Sequence, residues 1–97
     1  MRVISVAILR TFWEEHEDAE QALRAWFREA QLATWTRPLD IKAEYASASF
    51  VGDNRVVFNI KGNKYRLVVA VHYNRGIVYI RFVGTHKKYD SIDVATV

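Results

Sequence analysis

The chain has 97 residues, fourteen Lys/Arg against eleven Asp/Glu, and no cysteine. That length suffices for one domain that buries most of its apolar surface without disulfides or metal. The lack of cysteine is compatible with a reducing compartment. The apolar run Val6 to Leu9 is too short to span a bilayer. No small-residue cleavage site follows it, and Phe12-Trp13-Glu14-Glu15 come directly after, so neither a membrane segment nor a signal peptide is expected and the location expected is the cytoplasm. The net charge of +3 is unevenly divided. Residues 1–54 carry six Lys/Arg and nine Asp/Glu, whereas residues 55–97 carry eight Lys/Arg and two Asp. The basic half suits a polyanion, or else a solvated sheet edge guarded by lysine.

Arg2 to Ser5 reads as a short strand, with Ser5 as the cap of a first helix. Ile8, Leu9, Phe12, Trp13 and His16 recur on one helical face. Asp18 and Gln21 resemble a capping box opening a second helix, whose apolar face is Ala19, Leu23, Trp26, Phe27 and Ala30. The short break at 16–18 predicts a helical hairpin, with its aromatic stripe in the core. Pro38 to Glu44 is expected to add a helical turn or two. Ala46 to Asn54 reads as a short extended piece and a turn.

From Arg55 the pattern becomes β. Arg55–Ile60, Tyr65–Tyr73 and Ile77–Val83 are β-branched and aromatic runs, separated by Lys61-Gly62-Asn63-Lys64 and Asn74-Arg75-Gly76. They predict an antiparallel meander covered on one face by the helical hairpin, giving a compact α+β fold in a single domain over residues 1–97.

Arg66 and Arg81 interrupt otherwise apolar strands. A guanidinium there must stay wet, be paired, or hold a ligand. A snorkelling surface arginine and a fork for phosphate oxygens both satisfy that requirement. Whether the two arginines cooperate depends on the 74–76 turn. A two-residue loop puts them on one face, a three-residue loop pairs Arg66 with position 84 and puts them on opposite faces, and a bulge alters either result. His86 follows Gly84-Thr85, where the strand is expected to break, and Lys87, Lys88 and Tyr89 follow it. An imidazole can give or take a proton, so His86 suits general acid or base work. His72 reads as structural and His16 as a helix-end residue. The three histidines show no ligand spacing, so no metal or other cofactor is expected. Phosphate-loop, dinucleotide and nucleophile-elbow motifs are absent. RNA cleavage without a metal fits what remains, because RNA supplies its own nucleophile in the 2′-hydroxyl.

Met1-Arg2-Val3-Ile4-Ser5, Phe12-Trp13-Glu14, Leu23-Arg24-Ala25-Trp26 and the run Phe50 to Ile60 resemble the HigB toxins of the RelE-like superfamily, part of bacterial type II toxin–antitoxin systems. The resemblance continues through Gly62-Asn63-Lys64-Tyr65-Arg66-Leu67 and Tyr79 to Asp90. It implies helices on a twisted antiparallel sheet, with mRNA endoribonuclease activity on the translating ribosome and no metal. It also implies a helix-turn-helix antitoxin, HigA-like, in a hetero-oligomer with the toxin. The strand arginine of the superfamily falls on Arg66, the basic residue after the last strand on His86, and a C-terminal tyrosine loosely on Tyr89. Arg81 belongs to the pattern nearer HigB itself. Some relatives carry lysine on the strand before the hairpin, where this chain has Asn59, and its nearest lysines are Lys61 and Lys64. The catalytic set expected is Arg66, Arg81, His86 and Tyr89. Arg55, Lys61, Asn63, Lys64, Lys87 and Lys88 are expected to hold RNA. A ParE-like gyrase inhibitor and a non-catalytic RNA-binding module are the competing readings. The 84–87 stretch favours cleavage over both, since neither alternative needs a titratable group there.

Overall fold

A computed structural model describes residues 1–97. The elements in chain order are β1 (Arg2–Ile4), α1 (Ala7–Glu15), α2 (Glu20–Leu32), α3 (Pro38–Glu44), β2 (Ser49–Val51), β3 (Arg55–Ile60), β4 (Tyr65–His72), β5 (Ile77–Thr85) and α4 (His86–Tyr89). Short 3-10 turns at Glu17–Ala19 and Tyr73–Arg75 join α1 to α2 and β4 to β5. The strands form one sheet in the order β1-β5-β4-β3-β2. The meander β2 to β5 is antiparallel as expected, but β1 lies parallel to β5, with Arg2, Val3 and Ile4 opposite Ile77, Val78 and Tyr79. The α+β architecture therefore stands, and the sheet is mixed rather than purely antiparallel. No helix is long and apolar enough to cross a membrane.

Alternation along β4 divides the two faces. Leu67, Val69 and Val71 join Val56, Phe58, Ile60, Val78 and Ile80 in the main core, beneath Leu9, Trp13, Leu23, Trp26 and Ala30 of the helices. Trp26 meets Phe58 edge-on at 5.5 Å between centroids, and Tyr45 meets Phe58 in the same way at 5.0 Å. These large rings fill the space between helices and sheet, and their burial is the main source of stability. Phe12, Phe27 and His16 are only half-buried, and Ile8 is exposed, so the stripe on α1 is buried along one flank only.

The opposite face carries Arg55, Val57, Asn59, Arg66, Val68, Ala70, Phe82 and Gly84, by the same alternation. Val57, Val68 and Ala70 are buried outside the main core. The segment after α4 returns across this side. A Cβ on Gly52 would lie 3.7 Å from Ala95 Cβ, and Arg55 Nη2 donates to the Val97 carbonyl at 2.7 Å.

Both expected helix caps differ from their sequence readings. Ser5 makes no side-chain cap. It takes a left-handed φ of 72° that turns the chain from β1 into α1, and its carbonyl accepts from Ile8 N–H at 3.1 Å. Asp18 sits in a 3-10 turn and is engaged with β4 instead of the α2 N-terminus. Pro38 opens α3, which ends at Glu44 as expected, because its fixed φ suits the first helical turn.

β5 does not stop at Gly84. The strand runs through Thr85, and Gly84 is buried opposite Arg66. A Cβ there would fall 2.6 Å from Phe82 Cζ, so the Phe82 ring lies over the bare backbone. Gly84→Ala should therefore destabilise the fold by about 1–3 kcal/mol, the usual range for overpacking. Chemical denaturation should show the loss largely relieved in Gly84→Ala/Phe82→Leu, the coupling expected of residues in contact.

Candidate active site at the end of the central strands

Register decides which side chains meet. The β4–β5 connection leaves Tyr73 to Gly76 unpaired, longer than either loop considered from sequence, with Gly76 left-handed at φ 65°. His72 then pairs with Ile77, and regular pairing holds to Val69 opposite Ile80. Between Val68 and Val69 the ladder slips, so that Val68 faces Phe82 and Arg81 is the extra residue of a β-bulge. Beyond the bulge Arg66 is opposite Gly84, and on its other side it is opposite Asn59 of β3.

Arg66 is half-buried at the start of β4. Its Nη1 donates to Asn63 Oδ1 at 2.7 Å, and its Cζ lies 5.7 Å from the centroid of the Tyr89 ring. Asn63 comes from the β3–β4 turn, where Lys61 and Gly62 both adopt left-handed φ and bring the turn back sharply. Tyr89 comes from α4, which starts immediately after β5 and is capped by Thr85 Oγ1 accepting from Lys88 N–H at 3.3 Å. One turn thus fixes the guanidinium from the side, and one short helix lays a ring against it, a cation–π arrangement.

His86 opens α4 three residues before Tyr89, a spacing that puts both on one side of the turn. Its Nε2 is buried without a hydrogen-bond partner, leaving Nδ1 as the reachable nitrogen. Lys87 and Lys88 are exposed on the same turn. Arg66, Asn63, Tyr89 and the α4 cations are therefore gathered at one end of the sheet.

Arg81 is not brought to Arg66. Its Nε donates to the Val97 carbonyl at 3.1 Å, the same oxygen that accepts from Arg55. Three residues of strand separate it from Gly84, roughly 10 Å along the chain direction. The two arginines do not form a clamp on one point. Arg55 is further tied to Asn54 Oδ1 at 2.7 Å, so Arg55 and Arg81 both anchor the returning C-terminal segment.

Lys64 has a different partner from the one expected. It pairs with Asp18 Oδ2, while Tyr65 Oη donates to Asp18 Oδ1 at 2.6 Å. This contact bolts the β3–β4 turn to the α1–α2 connection. His16, at the end of α1 as expected, supports it, stacked on Phe12 at 4.3 Å and edge-on to Tyr65 at 5.6 Å. His72 likewise packs against Tyr79 at 5.2 Å. The Lys64 and Tyr65 hydrogen bonds hold the Asp18 carboxyl down at about 2. The same bonds raise Lys64 and Tyr65. Sequence reading missed this lock because Asp18-Gln21 fits a capping box equally well.

The chain's ion pairs are Arg24–Glu20, Arg37–Asp40 and Lys64–Asp18. Arg66, Lys61, Lys87 and Lys88 take part in none of them. Lys61 lies beside Glu17, Asp18 and Glu20 of the α1–α2 connection, whereas Arg66, Lys87 and Lys88 leave the end of the sheet positively charged. No group of three or more His, Asp or Glu side chains is placed to hold a metal ion.

Helices backing one face of a mixed five-stranded sheet, with a basic rim at the end of its central strands, define the RelE-like class of small α+β proteins. The family model HigB_toxin, described as the RelE-like toxic component of a toxin-antitoxin system, matches residues 19–92, and the chain belongs to this family. It is 30% identical over 92 residues to the mRNA interferase toxin HigB of Escherichia coli (strain K12), covering 93% of this chain and 88% of the relative. The proteins of Escherichia coli O157:H7 and Shigella flexneri called mRNA interferase HigB match with the same identity and coverage.

Asp18 gives a pH prediction. Its folded pKa of about 2 lies below the usual unfolded carboxylate value near 4. Its contribution is therefore complete above pH ~4 and is lost as the pH falls toward 2. Thermal melts of Asp18→Asn should lie below the parent's at pH 7 and converge toward it in that acid window.

Proposed function

We propose that residues 1–97 act as one toxin domain that cleaves mRNA on the translating ribosome, in the cytoplasm, and is held in check by a HigA-like helix-turn-helix antitoxin in a hetero-oligomer. The observation that carries this reading is Arg66. It is a guanidinium on the central strand with no carboxylate partner, oriented by Asn63 and Tyr89, at the rim where α4 carries Lys87 and Lys88. The names of the relatives support the reaction class.

In the proposed step the 2′-oxygen of one ribose forms a bond to the adjacent phosphorus and loses its proton. The bond from phosphorus to the 5′-oxygen breaks, and that oxygen takes up a proton. The products are a 2′,3′-cyclic phosphate and a 5′-hydroxyl. No metal enters this scheme. Arg66 stabilises the charge that grows on the phosphoryl oxygens, where a preorganised donor counts most. His86 exchanges a proton through Nδ1, and Tyr89 braces Arg66 while offering its hydroxyl at the same point. Asn63 positions the guanidinium. Lys61, Lys87 and Lys88 hold neighbouring phosphates, whereas Lys64 serves the fold first through Asp18. Arg55 and Arg81 reach RNA only if the C-terminal segment yields the Val97 contact.

Arg66→Ala should slow cleavage of translated mRNA about 10²–10³-fold, the scale for losing one preorganised donor. His86→Gln should slow it about 10²–10⁴-fold. Both should keep the parent's circular dichroism and melting profile. Induction in cells followed by mapping of mRNA ends should give cuts in reading frame on translated messages only. DNA damage with intact mRNA would instead identify a gyrase inhibitor, and undiminished toxicity of folded His86→Gln would remove histidine from the chemistry.

A further inference from the structure

Two guanidiniums from different strands meet on one oxygen. Arg55 Nη2 and Arg81 Nε donate to the Val97 carbonyl at 2.7 Å and 3.1 Å. Neither arginine belongs to an ion pair. Asn54 Oδ1 accepts from Arg55 Nη1 at 2.7 Å and holds the guanidinium plane. Nε and Nη2 form one edge of that plane, a fork that suits an anion with two oxygens. The Val97 carbonyl supplies one oxygen, and Arg55 Nε is buried with no acceptor. An orphaned donor on a charged group is costly, and it marks what the present occupant lacks.

We propose that Arg55 and Arg81 form a second phosphate site, held by the Val97 carbonyl until a non-scissile phosphate of the bound RNA replaces it. The proposal rests on the reading of the chain as an RNA-cleaving toxin. A phosphodiester presents two non-bridging oxygens and a negative charge. The Arg55 fork takes both oxygens, and Arg81 adds a donor and a second positive charge. A carbonyl offers neither the second oxygen nor the charge. The two hydrogen bonds lost with Val97 are regained on the phosphate, and Nε gains the partner it lacks.

The position suits a strand that also passes Arg66. Arg55 is opposite Ala70, on the open face and four residues along β4 from Arg66, roughly 13 Å away. One phosphate cannot touch both arginines at that distance, whereas another phosphate of the same strand can reach the second site. The present occupant is also lightly held. The Thr96 and Val97 amides donate to the Asp93 carbonyl at 3.1 Å and 2.9 Å, and Ala95 and Thr96 are exposed. Lifting the carbonyl needs that turn to open.

The test uses the full chain and a short single-stranded RNA whose 2′-oxygens are methylated, so that it binds uncut. As this RNA is added, NMR should show the Arg55 and Arg81 Nε–H signals and the Val97 carbonyl signal shifting together. Inorganic phosphate should shift them only at far higher concentration. Arg55→Lys keeps the charge and a donor for the Val97 carbonyl but lacks the fork. It should melt like the parent and bind the RNA about tenfold more weakly. In Arg55→Gln/Arg81→Gln the slope of log affinity against log salt should fall by about 0.7, the value for one single-strand phosphate. Parent affinity in both variants leaves the arginines as anchors of the C-terminal segment and overturns the proposal. Saturation of the signals by inorganic phosphate at the RNA's own concentrations makes this a site for free anions and overturns it as well. If the signals move with RNA but the parent cleaves no message, the phosphate site stands and the nuclease reading falls. Cleavage by the parent with these signals unmoved does the reverse.

Discussion

The pairing of β4 with β5 is the constraint on which the rest of the protein depends. β4 is the central strand, and its alternating Leu67, Val69 and Val71 are locked into the core beneath the helices. A one-residue slip would move every one of them to the wrong face. The ladder accommodates one extra residue in β5 by bulging at Arg81, and the strand beyond it is re-registered. That shift sets Gly84 opposite Arg66, lets Phe82 cover the glycine, and ends β5 where Thr85 can cap α4. Tyr89 then falls against the Arg66 guanidinium.

Charge follows the same division. The helical half pairs two of its arginines internally, through Arg24–Glu20 and Arg37–Asp40. The sheet half contributes one lysine to an ion pair, Lys64, and that pair bolts the β3–β4 turn onto the helices. The turn so fixed carries Asn63, which holds Arg66. Stability and site are thus joined. The contact that depresses Asp18 also stiffens the loop that aims the guanidinium.

Local features were legible in the sequence, and nonlocal ones were not. Apolar periodicity marked α1 and α2, Pro38 marked α3, and the 61–64 and 74–76 turns marked the meander, because each is written in neighbouring residues. The parallel seat of β1 beside residues 77–79 has no local signature, so an antiparallel sheet was expected. Ser5 and Asp18 both suit helix caps by residue type, yet a left-handed turn and a tertiary hydrogen bond claimed them. Arg66, Asn63, Tyr89 and the α4 cations could be named from sequence because they flank turns and strand ends. The separation of Arg81 from Arg66 could not, since a four-residue connection and a bulge jointly set the register. Nor did any pattern reveal that Arg55 and Arg81 converge on the Val97 carbonyl, a contact made across the sheet by a segment with no periodicity of its own.

The central claim is that the Arg66 rim breaks RNA by recruiting the RNA's own 2′-hydroxyl. A programmed ribosome carrying an mRNA with a single 2′-deoxy substitution at the scissile nucleotide tests this most directly. The account predicts that cleavage stops at that nucleotide, while the all-ribose message yields a 2′,3′-cyclic phosphate and a 5′-hydroxyl. Cleavage of the deoxy-substituted message at the same bond and rate would contradict it.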